Sequence, residues 1–210
     1  MQIEIIPESS YLMRMADGTI KQINPFTRTE VWTVPGRGNR PLGVASPNPA
    51  PLDPRKMDAH CPFCAKQYLE TPPEKARLIK SGDQYLTLRH LSVDALFDTV
   101  AEFRRIPNLF EIVSFNYWQK NFNYRLPETI EQHKRDYLAS VAGRQHVLRM
   151  SEQRLKAAGL DEIALERMSS DERLQYADAF FGGGHELIVG RRHFVDGATH
   201  DNQLASSGTL

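Results

Sequence analysis

The stretch "HCPFCAKQYLETPPEKARLI", from His60 to Ile79, contains both cysteines of the chain, Cys61 and Cys64. A C-x2-C turn places two thiols on one side of a loop, which is the first half of a tetrahedral zinc site. The same spacing occurs in redox-active dithiols, and two neighbouring cysteines can also be plain structural thiols. The pair therefore leaves three interpretations open: a metal knuckle, a redox pair or two unrelated thiols.

A zinc site here would need two further ligands, because the chain has no second C-x2-C. The redox interpretation is disfavoured, since no thioredoxin-like βαβ pattern surrounds the cysteines. Carboxylates or histidines would complete the site. The histidines of the chain are His60, His90, His133, His146, His185, His193 and His200.

The composition limits the classes of partner. The chain has 210 residues, and its 26 basic and 26 acidic residues give a net charge of zero, which argues against a general nucleic-acid binder. The N-terminal segment has no signal-peptide pattern, and no apolar run approaches the roughly 20 residues that a membrane helix needs. We therefore expect a cytoplasmic protein with reduced thiols that binds neither nucleic acid nor membrane.

Four stretches outside the cysteine turn carry local structural signals. The turn pair Asn24-Pro25 precedes a β-branched and aromatic stretch, Thr29 to Val34, and this pattern predicts strand, turn and strand. "PEKARLIKSG" predicts a short helix, with proline near its first turn and Gly82 after its end. "IPNLFEIVSFNYW" predicts a strand from its aromatic and β-branched residues, and "HELIVG" predicts a short strand ending at Gly190.

A helical pattern dominates residues 127–180. Gly143 is expected to interrupt it, and "SSDERLQYADAFF" predicts another helix that begins at a capping serine. The apolar residues that recur at helical spacing are Ile130, Tyr137, Leu138, Val141, Val147, Leu148 and Leu155.

Five stretches, in this order, resemble the galactose-1-phosphate uridylyltransferase family of the histidine-triad superfamily. "INPFTRTEVWTVPGRGNRP" is similar to the opening of that family, and "CPFC" to its zinc knuckle. "TPPEKARL" resembles the segment after the knuckle, "IPNLF" a strand start, and "HELIVGRRH" the strand that leads to a histidine zinc ligand. Together they span most of residues 20–193.

The resemblance implies an α+β fold with a mainly antiparallel sheet, an incomplete histidine-triad-like half-barrel with a helical insertion at about 127–180. Residues 1–210 would be the amino-terminal part of a uridylyltransferase-like domain. The implied zinc ligands are Cys61, Cys64 and His193, with His60 or His185 as candidates for the fourth. The implied nucleotide contacts are Arg37 and Arg40 at the phosphates and Asn108 at the uridine, with Asn116 as a second candidate.

The implied reaction is the transfer of UMP between a UDP-sugar and a sugar 1-phosphate. Family enzymes attack with the second histidine of a His-Pro-His motif, and this sequence contains no His-x-His. We therefore expect the chain to bind a UDP-sugar or another nucleotide but to be inactive alone. An open sheet edge would favour a homo-oligomer or a missing C-terminal half as its cover. The alternative is a zinc-stapled interaction module without catalysis.

Overall fold

A computed structural model describes residues 11–35, 55, 59, 61–109, 113–157 and 159–191. It confirms the predicted α+β class, because two antiparallel sheets and a set of helices make up these residues, and neither sheet closes into a barrel. The chain divides into two units, one of Met1–Val44 with Ile112–Arg125 and the other of Ala45–Glu111 with Leu126–Leu210.

The first unit is a three-stranded antiparallel sheet with one helix. The carboxamide of Asn24 accepts the backbone N–H groups of Phe26 and Thr27, and this Asx turn joins the second strand to the third. Trp32 on the third strand stacks on Tyr117 of the helix, with ring centroids 5.4 Å apart. The predicted strand–turn–strand is therefore confirmed. The elements of this unit are β1 (Leu12–Arg14), β2 (Ile20–Ile23), β3 (Glu30–Thr33) and α1 (Phe115–Phe122).

The second unit is built on a four-stranded antiparallel sheet in the order β5-β4-β6-β7. Gly82, at φ +61°, makes the tight turn between β4 and β5. The predicted strand "HELIVG" is confirmed as β7. The strands are β4 (Ala76–Ser81), β5 (Gln84–Arg89), β6 (Ala101–Pro107) and β7 (Glu186–Gly190), and two short 3₁₀ helices cover Ala65–Glu70 and Asp94–Phe97.

Two predicted elements are wrong. The expected helix in "PEKARLIKSG" is strand β4, which pairs with β5 on one side and β6 on the other. The expected strand in "IPNLFEIVSFNYW" covers only the end of β6, because α1 begins at Phe115 with Ser114 as its cap. In the first case pairing with two neighbouring strands outweighed local propensity. In the second, Phe115 and Tyr117 are buried as residues of a helix and not of a strand.

Within the described residues of the stretch predicted to be helical there are five helices. The break between the first two lies at Ser140, before Gly143. A Cβ atom on Gly143 would lie 2.0 Å from the carbonyl oxygen of Tyr137, so glycine allows the two helices to approach at their junction. Ser169 is the predicted capping serine and begins another helix with a capping box to Glu172. The single helix predicted for "SSDERLQYADAFF" is, however, two short helices. The helices are α2 (Glu128–Ala139), α3 (Val141–Ala157), α4 (Glu162–Arg167), α5 (Ser170–Leu174) and α6 (Asp178–Phe181).

The hydrophobic core of the second unit lies mainly among these helices. Within the ranges given above, no helix is long and apolar enough to cross a membrane. The core residues are Val93, Tyr137, Val147, Met150, Ala177, Phe180 and Phe181.

Candidate functional site

The cysteine turn is tight and buried. The backbone N–H of Cys64 donates to the carbonyl of Cys61 at 3.0 Å, and the N–H of Gln67 donates to the carbonyl of Cys64 at 2.8 Å. These bonds lead directly into the 3₁₀ helix Ala65–Glu70. The two Sγ atoms are 3.7 Å apart, and each cysteine is 5% exposed. Since a disulfide bond is about 2.0 Å long, the two sulfurs are not bonded to each other.

This sulfur spacing suits two chemistries. Two thiolates on a tetrahedral zinc ion, each about 2.3 Å from the metal, lie about 3.8 Å apart. A hydrogen-bonded pair of thiols can have the same separation. The donor set is incomplete within the residues that the structure describes, where no group of three or more histidine, cysteine or acidic residues could hold a metal. The predicted ligand His193 and the candidate His60 lie outside those residues.

The predicted nucleotide residues are only partly within the described ranges. Arg37 and Arg40 lie outside them. Asn108 directly follows β6, is half-buried, and its backbone N–H donates to the carbonyl of His185 at 3.1 Å. Asn116, the second candidate for the uridine contact, lies in the first turn of α1 in the first unit.

The end of strand β7, shortly before His193 in the chain, lies beside the cysteine turn. Gly190 and Arg191, at the end of β7, line the same small cavity as Phe63 and Ala65, which flank Cys64. The chain therefore passes beside the knuckle two residues before His193. His185 is at the opposite end of β7, about 16 Å along the strand, and this placement argues against it as the fourth ligand.

A buried charge cluster lies directly behind the knuckle. Arg77 on β4 and Arg104 on β6 are direct cross-strand partners, and both are almost fully buried. Like charges in that position repel each other. The Glu74 carboxylate separates them: Oε1 accepts from Arg77 Nε at 2.6 Å, and Oε2 accepts from Arg104 Nε at 2.5 Å.

The same cluster holds the knuckle segment against the sheet. Arg104 Nη2 donates to the Thr71 hydroxyl at 3.0 Å, and that hydroxyl donates to the carbonyl of Tyr68. The Tyr68 ring lies under both guanidinium groups, with its centroid 4.1 Å from Cζ of Arg104 and 5.0 Å from that of Arg77. The position of the 3₁₀ helix is thus set by charge-assisted hydrogen bonds and cation–π contacts.

The helices are attached to this segment through a histidine. His146 Nε2 lies 2.8 Å from the carbonyl oxygen of Thr71, and Nδ1 lies 2.7 Å from the Tyr137 hydroxyl. A carbonyl can only accept, so Nε2 carries the hydrogen and Nδ1 accepts from the tyrosine. Burial lowers the pKa of His146 and raises that of Tyr137, which keeps both groups neutral in this chain of bonds.

The sequence interpretation did not identify this cluster. Two features of the sequence could have indicated it. Arg104 alternates with the buried Ile106 on the inward face of β6, and Glu74 and Arg77 have a Glu-x-x-Arg spacing. The sequence pattern predicts a helix for residues 73–81, and a helix does not place Arg77 opposite Arg104.

Comparison with known proteins gives one positive finding. No curated protein and no solved structure matches the chain. The family described as "Domain of unknown function (DUF4921)" matches residues 15–210. Because this match covers nearly the whole sequence, the chain belongs to the DUF4921 family.

Proposed function

We propose that this chain is a zinc-stapled nucleotide-binding protein of the galactose-1-phosphate uridylyltransferase type, with a UDP-sugar as its ligand. The observation that carries the proposal is the cavity shared by Phe63, Ala65, Gly190 and Arg191. Because residues of both segments line this cavity, the end of the "HELIVG" strand lies beside the "CPFC" turn. The resemblance requires this relation, because it takes zinc ligands from both segments.

Cys61, Cys64 and His193 would hold the zinc ion, with His60 as the remaining candidate for the fourth position. The sulfur separation of 3.7 Å supports the first two, since it is close to the edge of a zinc–thiolate tetrahedron. Bound zinc would supply a structural cross-link between the knuckle and the segment after β7. The buried contacts of Thr71 and Tyr68 hold the knuckle segment in place from the other side.

The proposed nucleotide contacts are Arg37 and Arg40 for the phosphates and Asn108 for the uridine. Arginine forks match phosphate oxygens, and a carboxamide can pair with the polar edge of a base. Enzymes of the resembled family bind a UDP-sugar in this way in order to transfer UMP between it and a sugar 1-phosphate. These 210 residues contain no His-x-His motif. We therefore propose that they bind the nucleotide and do not catalyse the transfer by themselves.

Elemental analysis of the purified chain tests the zinc site. We expect about one zinc per chain, lost in Cys61→Ala/Cys64→Ala and strongly reduced in His193→Ala. His133→Ala is the matched control, because His133 lies on α2 and packs against Tyr137 and Phe181. A folded wild-type chain without zinc, or equal loss in the two histidine variants, would overturn the assignment.

Titration calorimetry with UDP-glucose tests the ligand. Arg37→Ala, Arg40→Ala and Asn108→Ala should each weaken binding roughly tenfold or more, since each removes a proposed ligand contact. Arg135→Ala is the control, because Arg135 is a half-exposed helix residue paired with Glu128. A zinc-loaded chain that binds neither UDP-glucose nor UDP would contradict the proposal and favour the zinc-stapled interaction module.

A further inference from the structure

Strand β5 is an exposed edge of the four-stranded sheet in the second unit. It pairs with β4 on one side, and no strand of the described residues pairs with its other side. All of its residues except Leu88 are exposed, with Tyr85 at 59% and Leu86 at 44%. An edge strand presents a row of backbone donors and acceptors with which another extended chain can pair.

The turn before β5 determines which backbone groups lie on this free edge. A two-residue turn joins β4 to β5, so its flanking residues Ser81 and Gln84 form a hydrogen-bonded pair. Hydrogen-bonded and non-hydrogen-bonded pairs alternate along an antiparallel ladder, and the register between β4 and β5 has no bulge. The backbone N–H and C=O groups of Tyr85, Thr87 and Arg89 therefore point away from β4.

Strand β5 lacks the features that commonly prevent edge strands from pairing, which are proline, a bulge, a lysine or a short length. Its sequence, QYLTLR, has six residues without proline or lysine, and its one charged residue is the last, Arg89. The other edge, β7, is shorter and ends in a glycine. It also carries Glu186, which forms ion pairs with Lys75 and Arg105. Of the two edges, β5 is therefore better suited to pairing.

The charges at the two ends of β5 are complementary to those of a second copy in antiparallel orientation. Asp83 lies in the turn before the strand, and Arg89 is the last residue of the strand. The residues between them are uncharged. Antiparallel pairing of two copies therefore brings the negative end of each strand towards the positive end of the other, whereas parallel pairing would bring like charges together.

The side chains of β5 also suit antiparallel self-pairing. In the register centred on Thr87, Tyr85 lies opposite Arg89 of the second copy, and an aromatic ring beside a guanidinium forms a favourable cation–π pair. On the other face of the sheet, Leu86 lies opposite Leu88 of the second copy, and this apolar contact covers the exposed part of Leu86. No pair in this register places like charges opposite each other.

We propose that β5 is the interface of a homodimer, in which two copies pair their β5 strands about a two-fold axis through Thr87. The four-stranded sheets of the two copies then form one continuous sheet. About six hydrogen bonds join the strands, because each residue with outward backbone groups exchanges two with the residue opposite. The two-fold axis requires a self-complementary surface, which β5 provides. The association depends on neither zinc nor a nucleotide.

Sedimentation velocity of the full chain over a range of concentrations tests the dimer. We expect a reversible equilibrium between monomer and dimer with a dissociation constant of about 1–100 µM, because a single strand pair buries a small interface. A chain that stays monomeric up to about 500 µM, or that forms only larger oligomers, would overturn the proposal.

Residue 87 gives a specific test, because the two-fold axis places it opposite its own copy. Thr87→Lys and Thr87→Glu each bring two like charges together, and each should weaken the dimer at least about tenfold. An equimolar mixture of these two variants should form a heterodimer, since lysine then faces glutamate. Ile188→Lys, at an exposed position on β7, is the matched control and should dimerise like the wild type. Loss of the dimer in Ile188→Lys but not in Thr87→Lys, or a mixture that stays monomeric, would contradict the assignment.

Amide hydrogen exchange of the wild-type chain gives a readout that needs no variant. The backbone amides of Tyr85, Thr87 and Arg89 should exchange at least about tenfold more slowly in the dimer than in the dilute monomer. The amides of Leu86 and Leu88 bond to β4 in both states, so their exchange should slow much less. Concentration-dependent protection on β7 without any on β5 would place the interface on the other edge and overturn the proposal.

Discussion

Arg104 and Arg105 are neighbours on strand β6, and each forms an ion pair with a glutamate at 2.5 Å. The side chain of Arg104 is 3% exposed and that of Arg105 is 42% exposed. The pair of Arg104 with Glu74 is therefore sealed behind the knuckle, whereas the pair of Arg105 with Glu186 faces solvent. Equal distances do not imply equal energies, because the buried pair has lost its hydration and the exposed pair has not.

Glu186, the partner of Arg105, is only partly buried. Burial by itself would raise the pKa of Glu186, but the hydrogen bond from Arg105 and the nearby charge of Lys75 bring it below its ordinary value. Glu186 thus stays ionised with two cations beside it. Water can replace either partner at small cost, which is not possible at Glu74.

The largest expected effect comes from removing the buried carboxylate. Glu74→Gln leaves two buried guanidinium groups opposite each other without a counter-ion, and we expect it to lower the free energy of unfolding by about 3–5 kcal/mol. Glu186→Gln, the matched change on the solvent side, should cost at most about 1 kcal/mol. Urea unfolding of both variants measures the difference. Similar losses in the two would mean that burial does not distinguish the pairs.

His133 is a buried titratable residue on α2, whereas the neighbouring Gln132 is exposed and does not titrate. Burial, helped by the charge of His90, lowers the pKa of His133 from 6.5 to about 4. The unfolded chain therefore takes up a proton at this residue before the folded chain does. The resulting stability is complete above pH 6.5 and is lost as the pH falls from 6.5 towards 4, by about 3 kcal/mol.

His133→Phe tests this contribution, since a phenyl ring can keep the edge contacts with Tyr137 and Phe181. The variant should lose about 3 kcal/mol less than wild type between pH 6.5 and pH 4 in urea unfolding. Gln132→Ala, at an exposed position beside His133 on the same helix, should follow the wild-type curve because it changes no titratable group. Parallel curves for wild type and His133→Phe would show that His133 is protonated in the folded protein.

The smallest expected effect concerns one hydroxyl group. Tyr137→Phe removes the donor to His146 Nδ1 and leaves a buried acceptor unsatisfied, which should cost about 1–3 kcal/mol. Tyr85→Phe, on the exposed edge strand β5, should change the stability by less than about 0.5 kcal/mol. Thermal unfolding compares the two. A neutral Tyr137→Phe would indicate that His146 finds another donor.

The local features of the fold were predictable from the sequence. The capping box at Ser169, the Asx turn at Asn24 and the strand ending at Gly190 all depend on residues close in the chain. The sequence predicts the helix break at Gly143, whereas the break lies at Ser140. The sequence shows that Gly143 is unusual inside a helical pattern. The reason for the glycine is steric, because a side chain there would collide with the carbonyl of Tyr137 in the preceding helix.

The sequence by itself determined the α+β class, the helical segment after residue 127 and the C-x2-C turn with its two thiols on one side. Periodicity, capping and turn chemistry act over a few residues, so these features are local. Only the tertiary structure decided that residues 76–81 are a strand, that Glu74 binds Arg104 thirty positions away, and that Arg191 lies beside the knuckle. Those outcomes depend on how distant segments pair as strands and bury each other's side chains. The free-energy cost of an unpaired buried charge then outweighs the local helix propensity.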